Sequence, residues 1–260
     1  METTKTKGSN EKPHSGTKKM PTGIEGLDVL LSGGLPERRT ISIIGGPGSG
    51  KTIFCAQFLH NGIVQNNERG VYISLDYSRE MFMQDMLQFE WDFDKWEKMG
   101  SFIFLEGSSI RRIPHTQNVQ GTLYSSDDLT LEDLIDLIVL YVEKIGAKRI
   151  VIDALSALIF RFPDPVQRRA AILTLIESLS SLNVTTLMIS EVAHYDFSRD
   201  INTEEYLADG VISMFMLKDG SRAIQISKMR GVAVDNKPRP YSIVAKRGIE
   251  VFPNETVFVQ

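Results

Sequence analysis

The stretch that decides the fold is Thr40-Ile41-Ser42-Ile43-Ile44-Gly45-Gly46-Pro47-Gly48-Ser49-Gly50-Lys51-Thr52-Ile53. Four of its first five residues are β-branched and predict a buried strand over Thr40–Ile44. After Gly50, the four-spaced pairs Phe54/Phe58 and Cys55/Leu59 predict a helix over Lys51–Gln65. Between the two lies G-x4-G-K-[ST], in the strand–turn–helix setting that this motif requires. Glycines let successive backbone N–H groups turn inward around phosphate oxygens, and the helix N-terminus adds a positive dipole end. Gly46, Pro47, Gly48, Ser49, Gly50, Lys51, Thr52 and Ile53 are therefore the expected phosphate cradle. Lys51 would reach the β- and γ-phosphates, and the Thr52 hydroxyl would face Mg2+.

Outward from this loop the chain alternates strand and helix signals. Strands are predicted over Gly70–Leu75, Phe102–Leu105, Arg149–Ile152 and Thr185–Ser190. An amphipathic helix is predicted over Thr130–Ile145, with Leu131, Leu134, Ile138, Tyr141 and Ile145 on its core face. A second opens at Asp164-Pro165, a capping residue followed by proline at the first helical position, and turns Ile172, Leu175, Ile176 and Leu179 inward. After Gly210 the pattern changes to a meander: Val211–Leu217 and Ala223–Lys228 around Asp219-Gly220, then Tyr241–Ala245 and Ile249–Phe252. The fold class is α/β: a mostly parallel sheet with helices on both faces and antiparallel strands at one edge.

Two acidic residues stand where phosphate chemistry needs them. Asp153 closes an apolar strand and is the expected second holder of Mg2+, beside Thr52. Asp76 follows the strand after the phosphate-loop helix, where a carboxylate can orient an attacking water. The bland reading of Asp76 is a loop residue capping a helix over Ser78–Leu87.

The 260 residues carry 29 Lys and Arg against 33 Asp and Glu, a net charge of −4. Residues 1–20 hold five Lys against Glu2 and Glu11 and are expected to be a flexible basic tail; residues 21–260 form the domain. A single cysteine excludes an intrachain disulfide and a cysteine-rich zinc site. No apolar run reaches the ~18 residues a spanning helix needs, so no membrane role and a cytoplasmic location are expected. His14, His60, His115 and His194 show no metal-ligand spacing. The aromatic stretch Met83–Trp96 reads as core or subunit contact, and the polar Ser108–Asp128 has no assignment.

Several ordered motifs give the chain a resemblance to KaiC-type domains of the RecA/DnaB superfamily. They are Pro21-Thr22-Gly23-Ile24-Glu25-Gly26-Leu27-Asp28, Gly33-Gly34-Leu35-Pro36, Val151-Ile152-Asp153, Ser190-Glu191-Val192, Lys228-Met229-Arg230-Gly231 and Gly248-Ile249-Glu250-Val251-Phe252-Pro253. The circadian clock protein has two such domains in tandem; this chain has one and is similar to stand-alone KaiC-like ATPases. The resemblance implies a RecA-like P-loop core, ATP and Mg2+ as cofactors, and a homo-oligomeric, commonly hexameric ring with ATP between subunits. Lys228 and Arg230 match residues that reach a neighbour's γ-phosphate, as an arginine finger does. With Lys51 and Asp76 they complete the expected catalytic set.

The family's paired glutamates are replaced here by Asp76-Tyr77, one methylene short at the base, so turnover is expected to be slow. Val234 stands where relatives often carry histidine. Glu205 and Tyr206 stand at the clock protein's phosphorylated Ser-Thr pair, so autokinase activity there is not expected. The alternatives to a nucleotide-switched ring ATPase in signalling are an ATP-assembled, non-hydrolytic scaffold and a recombinase- or helicase-like DNA motor. Against the motor, Ala193–Tyr206 holds Asp196, Asp200, Glu204 and Glu205 against Arg199, which repels nucleic-acid phosphate. Arg161, Arg168 and Arg169 are its best basic candidates.

Overall fold

The computed structural model describes residues 18–106, 130–156, 162, 164–191 and 203–257. Residues 1–17, Ser108–Asp128, Arg161, most of Ala193–Tyr206, and His14, His115 and His194 lie outside them. The described strands are β1 (Lys19–Met20), β2 (Leu35–Pro36), β3 (Thr40–Gly45), β4 (Gly70–Ser74), β5 (Phe102–Glu106), β6 (Arg149–Asp153), β7 (Thr185–Glu191), β8 (Gly210–Met216), β9 (Arg222–Met229), β10 (Arg239–Val244) and β11 (Gly248–Val251). The helices are α1 (Leu27–Leu30), α2 (Lys51–Asn66), α3 (Arg79–Leu87), α4 (Phe93–Lys98), α5 (Leu131–Ile145), α6 (Pro165–Ser181) and α7 (Thr203–Leu207).

Nine described strands form one sheet in the order β11-β10-β9-β8-β3-β7-β6-β4-β5. The segment from β8 to β5 is parallel, and β8 to β11 is the antiparallel meander. Strand alternation divides the core between the two faces. Val71, Ile73, Ile150 and Ile152 face α5 and α6. Tyr72, Val151, Leu187 and Ile189 face Phe54 and Phe58 of α2. The aromatic stretch also belongs to this second face, with Trp91 and Phe93 buried and Phe89 and Trp96 packed at its edge.

Local chemistry sets the helix ends. Thr130 and Asp133 form a reciprocal capping box at the start of α5, and Gly146 closes it in the left-handed conformation. Asp164 accepts from Val166 and Gln167 at the start of α6, with Pro165 first in the helix. Ile172, Leu175, Ile176 and Leu179 are buried as predicted. Two expectations are corrected. The buried face of α5 uses Val142, while Tyr141 packs only at its edge; the true 3.6-residue stripe drifts from 138 to 142. Lys19 and Met20, assigned by composition to the tail, pair as β1 with Pro36 and Leu35, so order begins before residue 21. Met20 is buried against the core, which offsets the ordering cost that the basic composition could not.

Candidate nucleotide site

The loop at 45–52 sits at the C-terminal end of β3 and opens into α2, as the sequence required. Gly48 and Gly50 adopt φ of +75° and +85°, a region costly for side-chain-bearing residues. A Cβ at Gly50 would lie 2.7 Å from Ile243 Cδ1, so glycine is needed there on both counts. The Ser49 hydroxyl donates to the Gly46 carbonyl at 2.8 Å, and the buried Tyr241 hydroxyl donates to the Ser49 carbonyl. Gln57 of α2 is tied to β11 through Ile249 N–H at 2.7 Å and the carbonyls of Arg247 and Ile249.

Lys51 is buried and its ammonium donates to the carbonyls of Gly45 at 2.9 Å and Gly46 at 3.1 Å. Burial lowers its pKa, while Glu191 and Asp153 pull it back up. A buried cation held only by neutral carbonyls is under-compensated, and a phosphate oxygen is a better partner. Thr52 Oγ1 donates to Asp153 Oδ2 at 3.0 Å across 101 residues of sequence. Burial raises the Asp153 carboxyl pKa, with hydrogen bonds from Tyr72 and Thr52 opposing it. Because the folded pKa is raised, ionised Asp153 at neutral pH is a net cost to the fold, which a nearby cation would offset.

The donor set suits Mg2+. A hydroxyl that spends its proton on Asp153 keeps its oxygen lone pairs for a hard cation. Among the described residues no group of three or more His, Cys, Asp or Glu could hold a metal. Thr52 and Asp153 are the protein groups placed to face a cation here, with water and the phosphates to fill its other positions, as is common for Mg2+.

The structure brings Lys51, Thr52 and Asp153 together. Strand β7 lies between β3 and β6, so this is the inserted-strand arrangement. Asp76 is exposed, two residues past the end of β4, whose Ser74 pairs with Asp153. At the start of α3, Ser78 is the capping residue, accepting from Met81 N–H. Tyr77 donates to Asp85, and burial pushes its pKa up to about 12, so it does not replace the missing glutamate as a base.

Lys228 and Arg230 are elsewhere. Lys228 Nζ donates to the carbonyls of Glu205, Tyr206 and Ala208 at 3.3, 2.8 and 2.7 Å, at the end of α7. Arg230, one residue beyond β9, reaches Asp209 Oδ1 at 3.4 Å, which also accepts from Arg39 at 3.2 Å. Of the basic residues weighed for DNA, Arg168 donates to the Phe162 carbonyl and Arg169 stacks 5.6 Å from the Tyr206 ring.

Sequence reasoning missed Tyr72, Tyr241 and Glu191 as parts of the site. Tyr72 and Tyr241 look like core aromatics, and only strand order carries them to Asp153 and Ser49. Glu191 ends β7 in register with Gly45, and its charge is felt by both Lys51 and Asp153.

A phosphate loop on β3, an acidic strand end two strands away and a parallel sheet covered on both faces define a RecA-like P-loop protein. A profile described as ATPase: KaiC matches residues 20–256, and the chain belongs to that family. It is 32% identical over 249 residues to a UPF0273 protein of Methanocaldococcus jannaschii, covering 92% of this chain and 98% of that one. It is 34% identical over 242 residues to the circadian clock protein KaiC3 of Synechocystis, spanning 46% of that longer protein. The crystal structure of a KaiC-like protein from Pyrococcus horikoshii superposes with a TM-score of 0.76 at 30% identity, covering 91% of this chain and 100% of that one.

Proposed function

We propose that the chain binds ATP with Mg2+ at residues 46–53, hydrolyses it slowly, and works as a nucleotide-switched ring of identical subunits in signalling or regulation. The observation that carries this reading is the convergence of the Lys51 ammonium, the Thr52 hydroxyl and the Asp153 carboxylate at one end of the parallel sheet. Backbone N–H groups of the loop bind the phosphates, and Lys51 exchanges its carbonyl partners for phosphate oxygens. Mg2+, when bound, neutralises charge on the phosphates. Asp76 accepts a proton from the attacking water or orients it, and its short side chain limits the rate. Lys228 and Arg230 act on the site of a second copy, exchanging the carbonyls and Asp209 for phosphate.

One observation favours a second reading, an ATP-assembled scaffold that does not hydrolyse. Tyr77 brings a phenol, tied to Asp85, where the usual pair has its second carboxylate, so Asp76 is the only carboxylate there. Phosphate release compared with Lys51→Ala separates the two. Release above the variant, with light-scattering mass rising several-fold on adding ATP and Mg2+, supports the ring ATPase. Clear ATP binding with release no faster than the variant would leave the scaffold. No heat with any nucleotide would remove both.

A further inference from the structure

We propose that Tyr72 is a positioning residue: its hydroxyl fixes the Asp153 carboxylate so that one oxygen stays available to the cation's water shell, and thereby sets how much Mg2+ nucleotide binding requires. The inference rests on the reading of Thr52 and Asp153 as the cation-facing pair.

Tyr72 is the middle residue of β4 and Asp153 the last of β6. In the β4–β6 register Ser74 pairs with Asp153 and Tyr72 with Val151, so Tyr72 and Asp153 are diagonal neighbours on the α2 face. A long aromatic side chain can span that diagonal. The Tyr72 hydroxyl donates to Asp153 Oδ2 at 2.5 Å, the same oxygen that accepts from Thr52 at 3.0 Å. A carboxylate oxygen has two lone pairs, so Oδ2 is fully used. Oδ1 has no hydrogen-bond partner among the described residues.

The ring does not need its hydroxyl for packing. Tyr72 is 0% exposed, stacked on Phe104 at 5.4 Å and 7°, and 4.5 Å from Phe82. Phenylalanine would make the same contacts. A hydroxyl buried in an aromatic block costs free energy unless it finds a partner, and its partner here is Asp153. The aromatic block clamps the ring, the ring aims the hydroxyl, and the hydroxyl holds the carboxylate's rotation before any cation arrives. Groups behind a metal-facing residue commonly matter roughly 10- to 100-fold in metal affinity.

The test uses the full chain and a fluorescent, non-hydrolysable ATP analogue, titrated in EDTA and then against rising Mg2+. For Tyr72→Phe, binding in EDTA stays within about twofold of the parent, while the half-saturating Mg2+ concentration rises roughly tenfold. Asp153→Asn gives the reference shift, and adding Tyr72→Phe to it changes little, because the two act through one carboxylate. An unchanged Mg2+ requirement in Tyr72→Phe beside a shifted one in Asp153→Asn overturns the role of Tyr72 alone. So does a loss equal in EDTA and in Mg2+, the mark of a merely structural contact. If Asp153→Asn itself leaves the Mg2+ requirement unmoved, the cation reading fails and this inference falls with it.

Discussion

Arg149 is a charged side chain only 1% exposed at the start of β6, and replacing it with alanine tests how the frame behind the nucleotide site is held. Its Nη1 donates to the Phe58 carbonyl at 2.7 Å and Nη2 to the Pro21 carbonyl at 2.9 Å. Nε donates to Glu68 at 2.8 Å, and the guanidinium lies 4.5 Å over the Phe58 ring. Gly62 is shaped to it: a Cβ there would meet Arg149 Nε at 2.3 Å. Burial lowers the Arg149 pKa and Glu68 opposes this, as expected of a buried pair. Truncation strands the Pro21 carbonyl at about 1–3 kcal/mol, takes a second donor from the Phe58 carbonyl, which keeps its helical N–H partner, and empties the space of the stem. Glu68, whose side chain is already 25% exposed, can turn to water and adds little. With the cavity left by the stem, the sum is about 3–5 kcal/mol. At roughly 2–4 °C per kcal/mol for a chain of this size, the melting temperature should fall by about 10 °C. Differential scanning calorimetry and urea unfolding read this directly, with nucleotide affinity measured well below the transition. A melting point within about 2 °C of the parent would refute the reasoning. Lost affinity in a variant of parental stability would place Arg149 in the site and not in its frame.

Two further outcomes follow from the same geometry. Gly50→Ala must hold φ of +85° and push Ile243, so it should weaken ATP binding by at least about tenfold while the fold survives; calorimetric affinity within twofold of the parent would contradict the glycine argument. His60 is stacked on Trp91 at 5.3 Å, its Nδ1 is buried with no hydrogen-bond partner among the described residues, and burial lowers its pKa from 6.5 to about 4. The folded pKa is depressed, so its contribution is present above pH 6.5 and lost as pH falls toward 4. That loss is at most about 3.4 kcal/mol, at about 1.36 kcal/mol for each of about 2.5 pH units, and about 2 after allowance for partial exposure. His60→Phe should flatten the urea-midpoint profile over that window, and an unchanged slope would count against the assignment.

What the sequence disclosed follows from how local each signal is. The phosphate loop is contiguous, and its glycines, lysine and threonine announce their chemistry by spacing. Asp153 was readable because an apolar strand stops at it. Tyr72, Arg149 and Tyr241 were not, because each acts across the sheet. Tyr72 meets a residue 81 positions away, Tyr241 one 192 away, and Arg149 a carbonyl 128 away. In sequence a tyrosine inside a β-branched run is a core residue, and an arginine before one is a strand end. Helix α2 gave only four-spaced pairs because it is covered on two sides, by the parallel strands and by β11 through Gln57. The β1 strand escaped because two residues carry no period, and its lysine belongs compositionally with the tail.

The antiparallel meander keeps Lys228 and Arg230 away from the phosphate loop of their own chain. Its strands form the outer wall of the loop: Met216 lies 2.9 Å from where a Gly48 Cβ would be, Ile243 closes on Gly50, and Tyr241 holds the Ser49 carbonyl. These contacts sit at the β3 end that carries the phosphate loop, since Met214 pairs with Gly45 and Met216 with Arg222. Lys228 and Arg230 lie at the other end of β9, beside Asp209, whose N–H bonds the Thr40 carbonyl at the opposite end of β3. Five strand steps separate Thr40 from Gly45, about 17 Å at ~3.3 Å per residue. That exceeds the reach of either side chain, and both already have partners close by. Within one chain the two cations and the phosphate loop are therefore at opposite ends of the same sheet. A head-to-tail, heterologous contact would bring one subunit's cations to the next subunit's loop, whereas a two-fold contact would pair each surface with itself. Repeated with a closing rotation, that head-to-tail contact generates a ring.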